Sequence, residues 1–439
     1  MMKLINGFSK FNKEKKQKWL SEEIGIDHHE TTKLFENFKM KDSSTQKVFD
    51  SFSENTIGNF HLPYGIAPNM LINGKIHAIP MVIEESSVVA AVAHTAKYWS
   101  SRGGVKSEVL STVKLGHIHF MWEGESEVLK SFISKISKSV AHQLRPHTES
   151  MNNRGGGVLS MELVDQTDKI ANYYQIEMKF ETLDAMGANF INTILEEAST
   201  IIQNEAILSD DLVGAEKRID VIMCILSNYT PECLVKSTFE CRVSDLGFDD
   251  NEEFARRFVQ AVKIAHVDVH RATTHNKGVL NGIDAICIAT GNDFRAIEAS
   301  LHTYACRSGH YSALTDANII DGKFVFEIQI PLALGTVGGL TKLHPLAKYS
   351  LEILNSPSAK ELMQIVASVG LAQNFGALRA LTTTGIQKGH MKMHLTNILD
   401  SQNVDSSHKK SVIDYFKDKV VSVAAVRDFI QSLAHTAAT

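Results

Sequence analysis

Hydrophobic and polar residues repeat with two different periods in this chain, and each period predicts one kind of secondary structure. From Tyr174 to Phe180 apolar residues occupy every second position, which is the pattern of a half-buried antiparallel strand within residues 174–183. Between residues 190 and 202 the apolar residues fall on one stripe, which predicts an amphipathic helix. Strands are also predicted at residues 117–122, 160–165 and 323–333.

Other segments predict helices and the connections between them. Residues 88–99 are apolar on most faces, so we expect a buried helix that begins at a Ser86–Ser87 cap. Further helices are predicted at residues 11–54, 259–265, 359–381 and 412–433. Two polar stretches, residues 208–219 and 401–410, are typical of an exposed loop and a linker.

The order of these elements divides the chain into parts. Strands and helices between about residues 115 and 227 indicate a small α+β unit inserted into a larger one. We therefore expect an α+β fold with three parts. They are a large domain of residues 1–113 and 229–385, a small domain of residues 114–228, and a C-terminal part of residues 386–439.

Composition and charge limit the possible partners and the compartment. The 439 residues carry a net charge of −5 with no long basic run, so nothing indicates a nucleic-acid partner. The five cysteines show no CxxC spacing, which is typical of reduced thiols and gives no sign of a metal site. The N-terminus is too polar for a signal peptide, and no apolar stretch reaches the length of a membrane span. We expect a cytoplasmic protein without a membrane partner.

Residues 271–295 carry the most chemical information in the chain. Their apolar run, residues 283–290, predicts a β-strand, with Lys277 in the polar loop before it and Asp293 in the loop after it. A lysine held by a carboxylate can stabilise a developing oxyanion. The same pattern is typical of a surface ion pair between two loops, and the pattern by itself favours the surface pair.

Further motifs occur along the chain in a fixed order. They are ENTIG at residues 54–58, IEESSVVAA at 83–91, RGGG at 154–157, DAMGAN at 184–189, THNKG at 274–278, ATGNDFR at 289–295, GTVGG at 335–339, GLAQN at 370–374 and GIQKGHM at 385–391. Together they resemble 3-hydroxy-3-methylglutaryl-CoA (HMG-CoA) reductases of class II, the soluble bacterial type. One position departs from the family, because Ser86 stands where proline usually follows the glutamate. This loosens the local backbone but keeps the carboxylate of Glu85.

The resemblance implies a four-electron reduction of HMG-CoA to mevalonate and CoA with two NAD(P)H, or the reverse oxidative acylation. It gives each chemical step its own residue. Lys277 stabilises the oxyanion, Asp293 holds Lys277, Glu85 donates a proton, and His390 protonates the leaving thiolate. A non-catalytic CoA-thioester binding protein on the same fold is the alternative, although it would not need all four residues. An acyltransferase would need a nucleophilic cysteine, which no motif here indicates.

For the cofactor, the resemblance points to the turn at residues 184–189 and not to a Rossmann motif. Asp184 is expected to cap the following helix, whose free N–H groups would bind a pyrophosphate. The cofactor-binding candidates are Asp184, Ala185, Met186, Gly187, Ala188, Asn189, Asn228 and Thr148. Thr148 stands where NADH-specific relatives carry an aspartate, and Arg145 and Arg154 lie nearby. The expected cofactor is therefore NADPH or NADH, with NADPH favoured.

For the substrate, the resemblance implies that Arg271 binds the terminal carboxylate of the hydroxymethylglutaryl group. Ser87, Asn281 and Gln373 match polar contacts around it. The family also implies a ferredoxin-like, non-Rossmann dinucleotide domain at residues 114–228, a large domain that binds the CoA thioester, and a helical flap at residues 386–439. A homodimer, or a higher homo-oligomer of dimers, with sites shared between subunits is expected.

Overall fold

The computed structural model describes residues 4–383, 395, 398–399, 406–416, 419 and 421–436. The α-helices in chain order are α1 (Lys13–Ile24), α2 (His28–Asn37), α3 (Ser43–Asp50), α4 (Val88–Ser100), α5 (Ser126–Gln143), α6 (Arg145–Asn152), α7 (Ala188–Leu208), α8 (Asn251–Val267), α9 (Val269–Ala289), α10 (Phe294–Ala305), α11 (Gly339–Leu343), α12 (Pro345–Ile353), α13 (Ala359–Thr382), α14 (Ser406–Tyr415) and α15 (Val423–Thr436). The strands are β1 (Tyr64–Ile72), β2 (Lys75–Val82), β3 (Val105–Val109), β4 (Lys114–Met121), β5 (Gly157–Asp165), β6 (Tyr173–Glu181), β7 (Asp220–Leu226), β8 (Leu234–Arg242), β9 (Thr315–Ile320) and β10 (Lys323–Pro331).

Three polar helices, α1 to α3, lie where the sequence predicts helices within residues 11–54. Each begins at a side-chain cap, because Asn12, Asp27 and Asp42 accept hydrogen bonds from backbone N–H groups of the first turn. These caps satisfy N–H groups that have no partner inside the helix.

A six-stranded sheet with the order β2-β1-β3-β8-β10-β9 organises the larger core. Neighbouring strands pair antiparallel except β1 and β3, which pair in parallel at Ile72 and Val105. Helices α4, α9 and α13 pack against these strands and against one another. The Trp99 ring of α4 lies 4.5 Å from the Phe239 ring of β8 and 5.3 Å from the Phe375 ring of α13, measured between centroids. The helices predicted at residues 88–99 and 359–381 are confirmed.

A second sheet has four antiparallel strands in the order β5-β6-β4-β7. Its elements follow one another as β4, α5, α6, β5, β6, α7 and β7. Residues Tyr174, Ile176, Met178 and Phe180 of β6 are buried in one hydrophobic cluster with side chains of α5 and α7. The predicted alternation and the helix predicted at residues 190–202 are confirmed, and α7 extends beyond that range at both ends.

The strand predicted at residues 283–290 is wrong, because residues 283–289 form the end of helix α9. Ile283, Ile286 and Cys287 are fully buried, and a short apolar run gives no period that separates a buried helix from a buried strand. At Gly282 an added Cβ would lie 2.9 Å from Cβ of Gln373 on α13. The glycine therefore allows the close packing that buries this helix.

Beyond α13, the described residues include two helices, α14 and α15, where one helix is predicted at residues 412–433. Helix α14 begins at Ser406, inside the stretch predicted as a polar linker. Residues from both helices share a separate hydrophobic cluster with an upstream segment, formed by Leu395, Ile398, Leu399, Val412, Phe416 and Val426. None of the helices that the structure describes is both long and apolar enough to cross a membrane.

Candidate active site

The centre of the candidate site is a contact between Lys277 on α9 and Glu85 in the turn before α4. Lys277 Nζ donates a hydrogen bond of 2.6 Å to Glu85 Oε2. The Lys277 side chain is 59% exposed and that of Glu85 is 38% exposed. The ammonium is therefore held by a carboxylate, as the sequence predicts, but the carboxylate is that of Glu85.

Ser87 occupies an unusual conformation two residues after Glu85. Its φ of 80° lies in the left-handed region, and its side chain makes no capping hydrogen bond to α4. Helix α4 begins after Ser87 as predicted, but the prediction that a serine side chain caps the helix is wrong for Ser87. A non-glycine residue in this region costs about 1–3 kcal/mol, and such strain is concentrated at functional sites. The conformation leaves the hydroxyl available to the space in front of the helix.

An open cleft of about 670 Å³ brings four of the predicted residues together. Glu85, Ser87, Asn281 and Gln373 all line it. Asn281 stands four positions after Lys277 on α9, so the two share one face of the helix. Gln373 Oε1 is buried and has no hydrogen-bond partner among the described residues. A buried unpaired oxygen is costly, so this atom is suited to a ligand that donates a hydrogen bond.

Arg271 lies in the first turn of α9, about 9 Å along the helix axis from Lys277 at 1.5 Å per residue. Arg271 is half-buried. Burial lowers the pKa of its guanidinium, and the negative charge of Asp268 partly offsets this by raising the pKa. The guanidinium has no hydrogen bond or ion pair among the described residues and is not part of the cleft lining. Within the described part of the chain it is therefore an unpaired cation near the site.

Asp293 lies at the other end of α9 and does not contact Lys277. Its carboxylate caps α10 by accepting from the N–H of Ala296, and it pairs at 3.4 Å with Arg295 Nε. Ala289, the last residue of α9, stands twelve positions after Lys277, which corresponds to about 18 Å along the helix axis at 1.5 Å per residue. The ion pair expected between Lys277 and Asp293 therefore does not form within one chain.

The turn at residues 184–189 is built differently from the prediction. Asp184 does not cap α7, because its Oδ1 accepts from the N–H of Ala359 at the start of α13. Gly187 stands at the N-cap of α7 with a φ of 95°, and no side chain caps that helix. A Cβ at Gly187 would lie 2.6 Å from Thr182, so the tight turn requires glycine. The first N–H groups of α7 are left without a side-chain acceptor, as an anion site needs.

Two predicted cofactor residues meet at a small cavity beside this turn. Met186 and Asn228 line it together with Ala296, Ile297 and Ser300 of α10. Helix α10 is the helix that Asp293 begins. Met186, Asn228 and helix α10, which begins after Asp293, therefore lie around one cavity, and none of these residues lines the cleft of Glu85 and Ser87.

Thr148 does not present its side chain as predicted. It lies in α6, is buried, and its hydroxyl donates to the Leu144 carbonyl while accepting from Asn152. Arg145 and Arg154, the cations expected nearby, are exposed. His390 lies outside the described residues.

A protein-family model described as hydroxymethylglutaryl-coenzyme A reductase matches residues 12–395. The chain belongs to this family. As a member of the HMG-CoA reductase family it is an NAD(P)H-dependent oxidoreductase, and a non-catalytic binding protein is not favoured.

Relatives and solved structures agree with the family. The chain is 36% identical over 398 residues to an HMG-CoA reductase of Archaeoglobus fulgidus, covering 91% of this chain and 87% of the relative. It is 34% identical over 370 residues to a probable HMG-CoA reductase of Borreliella burgdorferi, covering 84% and 81%. A class II HMG-CoA reductase from Streptococcus pneumoniae bound to NADPH in open conformations superposes with a TM-score of 0.72 at 33% identity, covering 86% of this chain and 99% of that chain.

Sequence reasoning missed two residues that line the cleft of Glu85 and Ser87, His94 on α4 and Arg379 on α13. Arg379 Nη1 lies 3.3 Å from His94 Nε2, and its guanidinium stands 4.9 Å from the centre of the Tyr98 ring. Burial lowers the pKa of Arg379, and burial followed by the charge of Arg379 lowers the pKa of His94. The signal in the sequence was Arg379, which is the only charged residue in the segment 362–381.

Proposed function

We propose that this chain reduces HMG-CoA to mevalonate and CoA in the cleft that contains Glu85, Ser87, Asn281 and Gln373. The observation that supports this most is the 2.6 Å hydrogen bond from Lys277 to Glu85 at that cleft. It unites a cation for the oxyanion with a carboxyl group that can deliver a proton. The cofactor, when bound, supplies the hydride.

Lys277 has the properties that an oxyanion stabiliser requires. The carboxylate of Glu85 fixes the position of its ammonium, so little reorganisation is needed when negative charge develops on the substrate oxygen. An ammonium carries three protons, so donors remain for the substrate while one proton bonds Glu85. Glu85, in its protonated form, is placed to donate a proton to the same oxygen once the hydride has been added, while its second oxygen accepts from Lys277.

Arg271 is proposed to bind the terminal carboxylate of the substrate. Its guanidinium is half-buried and has no partner among the described residues. An unpaired guanidinium gains most from a carboxylate that it can contact with two N–H groups. Ser87 and Asn281, which line the cleft, would contact the hydroxymethylglutaryl group.

The catalytic machinery of one chain is split into two halves, and we propose that a homodimer, or a higher oligomer of dimers, completes it. Lys277 lies at the substrate half, and Asp293 at the cofactor half follows Ala289, the end of α9, which is about 18 Å from Lys277 along the helix axis. Lys277 is also 59% exposed, so a second copy can approach it. A two-fold axis would then place Asp293 of each subunit beside Lys277 of the partner.

The cofactor is proposed to be NADPH, held by residues 114–228 acting as a ferredoxin-like, non-Rossmann domain. The order β5-β6-β4-β7 with α5 and α7 supports that architecture. The uncapped start of α7 supports a pyrophosphate site at residues 184–189, and the similar protein from Streptococcus pneumoniae binds NADPH. Asn228 lines the small cavity beside this turn together with Met186.

The remaining parts complete the proposal. Residues 1–113 and 229–385 form the large domain that binds the CoA thioester. Residues 386–439 form a C-terminal flap that brings His390 to the leaving thiolate, a role supported by the family resemblance and by the separate hydrophobic cluster in this region. We propose that the enzyme acts in the cytoplasm.

The test of the activity follows NADPH absorbance with HMG-CoA and counts NADPH consumed per mevalonate formed, with two expected. Glu85→Gln keeps an acceptor for Lys277 but removes the proton donor, so its kcat should fall by about 10²–10⁴. Glu84→Gln, the exposed neighbour, is the matched control and should retain activity. Full activity of Glu85→Gln would exclude its role as the acid.

A further inference from the structure

Residues 312–315, which lead into β9, form a buried segment against helices α9 and α13. Their exposed fractions are only 8%, 1%, 3% and 0%. A segment buried this deeply needs partners for its backbone polar groups. Two of these groups are bound by one residue of α9, because Asn276 Nδ2 donates to the Ser312 carbonyl and Asn276 Oδ1 accepts from the Leu314 N–H, at 2.9 Å each. Asn276 is itself fully buried, so the segment is fixed to α9.

Three further side chains close a cycle of hydrogen bonds between β9, α9 and α13. Asn374 Nδ2 of α13 donates to the His275 carbonyl of α9 at 3.0 Å, and Thr315 Oγ1 of β9 donates to Asn374 Oδ1 at 3.2 Å. His275 Nε2 lies 2.6 Å from the same Thr315 oxygen. Because the single proton of the Thr315 hydroxyl is given to Asn374, His275 must donate from Nε2. Each of the three residues is exposed by 1% or less.

The charge state of His275 fits its place in this cycle. Burial, followed by the charges of Arg271 and His266, lowers the pKa of His275 to about 3, so the imidazole is neutral and carries one proton. Its Nδ1 is buried and has no hydrogen-bond partner among the described residues, which agrees with a proton on Nε2. The direction of every hydrogen bond in the cycle is therefore fixed.

The cycle stands directly beside residues of the cleft. His275 lies two positions before Lys277 on α9, and Asn374 follows Gln373 on α13. The two helices approach closely here, because a Cβ at Gly278 would lie only 3.5 Å from Asn374 Nδ2. Gly278 and Gln373 both line the cleft. A change in the cycle would therefore move Lys277 relative to Gln373.

We infer that Thr315, His275 and Asn374 are positioning residues for the reduction. They need not touch substrate or cofactor, because they act by fixing the place of Lys277 relative to Gln373. This rests on the proposed function, since it takes Lys277 as the oxyanion stabiliser. Buried hydrogen-bond networks rigidify a core and specify one packing, and a misplacement of about 1 Å can lower a rate by about 10².

The experiment compares substitutions that break the cycle with substitutions that keep it. Thr315→Val removes the hydroxyl at constant shape, and Thr315→Ser keeps it. His275→Leu removes the Nε2 donor, and His275→Gln offers an amide donor in its place. Ser237→Ala is the control, since Ser237 Oγ is also fully buried but bonds the hydroxyls of Ser107 and Ser368, outside the cycle. Thermal denaturation gives the melting temperature of each protein, and steady-state kinetics well below it give kcat and KM for HMG-CoA.

Thr315→Val and Ser237→Ala should both lower the melting temperature, because each leaves buried polar groups unpaired. Only Thr315→Val should also lower kcat, by about tenfold to a hundredfold. KM for HMG-CoA should change little, because the lost positioning matters when charge develops in the transition state. His275→Leu should lower kcat in the same direction, whereas Thr315→Ser and His275→Gln should retain most of it.

His275→Leu breaks one hydrogen bond where Thr315→Val breaks two, so it remains informative if Thr315→Val does not fold. If the folded variants lose melting temperature but keep the wild-type kcat, the cycle is only structural and the inference is overturned. The inference also fails if Ser237→Ala lowers kcat to the same extent, or if Thr315→Ser is as slow as Thr315→Val. If the wild type forms no mevalonate from HMG-CoA and NADPH, the proposed function fails instead.

Discussion

Lys277 Nζ and Glu85 Oε2 lie 2.6 Å apart although 192 positions separate the two residues in sequence. The contact joins α9 to the turn before α4 and places a cation and a carboxyl group at one cleft. An exposed ion pair adds only about 0–1 kcal/mol to stability. Its position at the cleft therefore points to a catalytic and not a structural role.

We predict that Lys277→Ala lowers kcat by at least about 10²–10³, the usual cost of losing one oxyanion donor. The melting temperature should stay near that of the wild type because the side chain is 59% exposed. Steady-state kinetics and thermal denaturation check both parts. Lys263→Ala, at an exposed position of α8, is the control. Retention of more than about a tenth of wild-type kcat would exclude the oxyanion role.

Shared sites predict complementation between two inactive variants. Lys277→Ala and Asp293→Ala should each be inactive alone. In a mixed dimer one site carries both lesions and the other carries neither, so random mixing should restore roughly a quarter of wild-type activity. Sites contained within one chain would give no recovery. Sedimentation at assay concentration should show no active monomer.

Cofactor preference is predicted to depend on the exposed arginines around α6. The double variant Arg145→Gln/Arg154→Gln should raise KM for NADPH and leave KM for NADH little changed, because a 2′-phosphate would lose its cations. Arg256→Gln on α8, also exposed, serves as the control. Equal effects on both cofactors would show that these arginines do not contact the 2′-phosphate.

Thr148→Asp is expected to lower the stability of the folded protein. The Thr148 hydroxyl is buried and bonds within α6, and a carboxylate there would be buried without a cation. Thermal denaturation measures the loss. If the melting temperature is unchanged and the ratio of kcat/KM values shifts in favour of NADH, position 148 contacts the cofactor as the sequence predicts.

His275 predicts a loss of stability in acid. It is buried on α9 with Nε2 2.6 Å from Thr315 Oγ1, and burial, followed by the charges of Arg271 and His266, lowers its pKa to about 3. The unfolded chain binds a proton near pH 6.5 and the folded chain does not, so stability is lost as pH falls below about 6.5. Between pH 6.5 and 5 the loss is about 2 kcal/mol. The free energy of unfolding, measured by denaturation between pH 6.5 and 5, should fall less steeply with pH for His275→Gln than for the wild type. Equal slopes for the two proteins would contradict the low pKa of His275.

Truncation after Leu395 tests the C-terminal flap. It removes Val412, Phe416 and Val426 from the cluster that holds α14 and α15 together. We expect kcat to fall while KM for HMG-CoA changes little, because closure and not substrate affinity is lost. Protease cleavage near Ser401 should slow when both ligands are present. If the truncated enzyme turns over normally and ligands do not change the rate of cleavage, the C-terminal segment is only a packed terminal helix and the flap proposal is contradicted.

Local patterns in the sequence determined much of this protein. Helices were predicted within residues 11–54, alternation predicted β6, and the ordered motifs indicated the family and the residues of the cleft. These features depend on neighbours within a few positions of one another, such as a cap and its first turn or alternate residues of one strand. They can therefore be read without knowing how the chain packs.

Tertiary structure decided which of those residues meet. Helix α9 was mistaken for a strand because burial on all sides erases periodicity, and its true length separates Lys277 from Asp293. Asp184 binds the start of α13 because a carboxylate accepts from whichever free N–H the packing brings near. Lys114, Thr230 and Ser300 belong to no motif in the sequence, and only the packing of β4 and α10 brings them to one cavity, where the Thr230 and Ser300 hydroxyls have no hydrogen-bond partner among the described residues. A contact between distant segments is set by how elements pack, which no local pattern encodes.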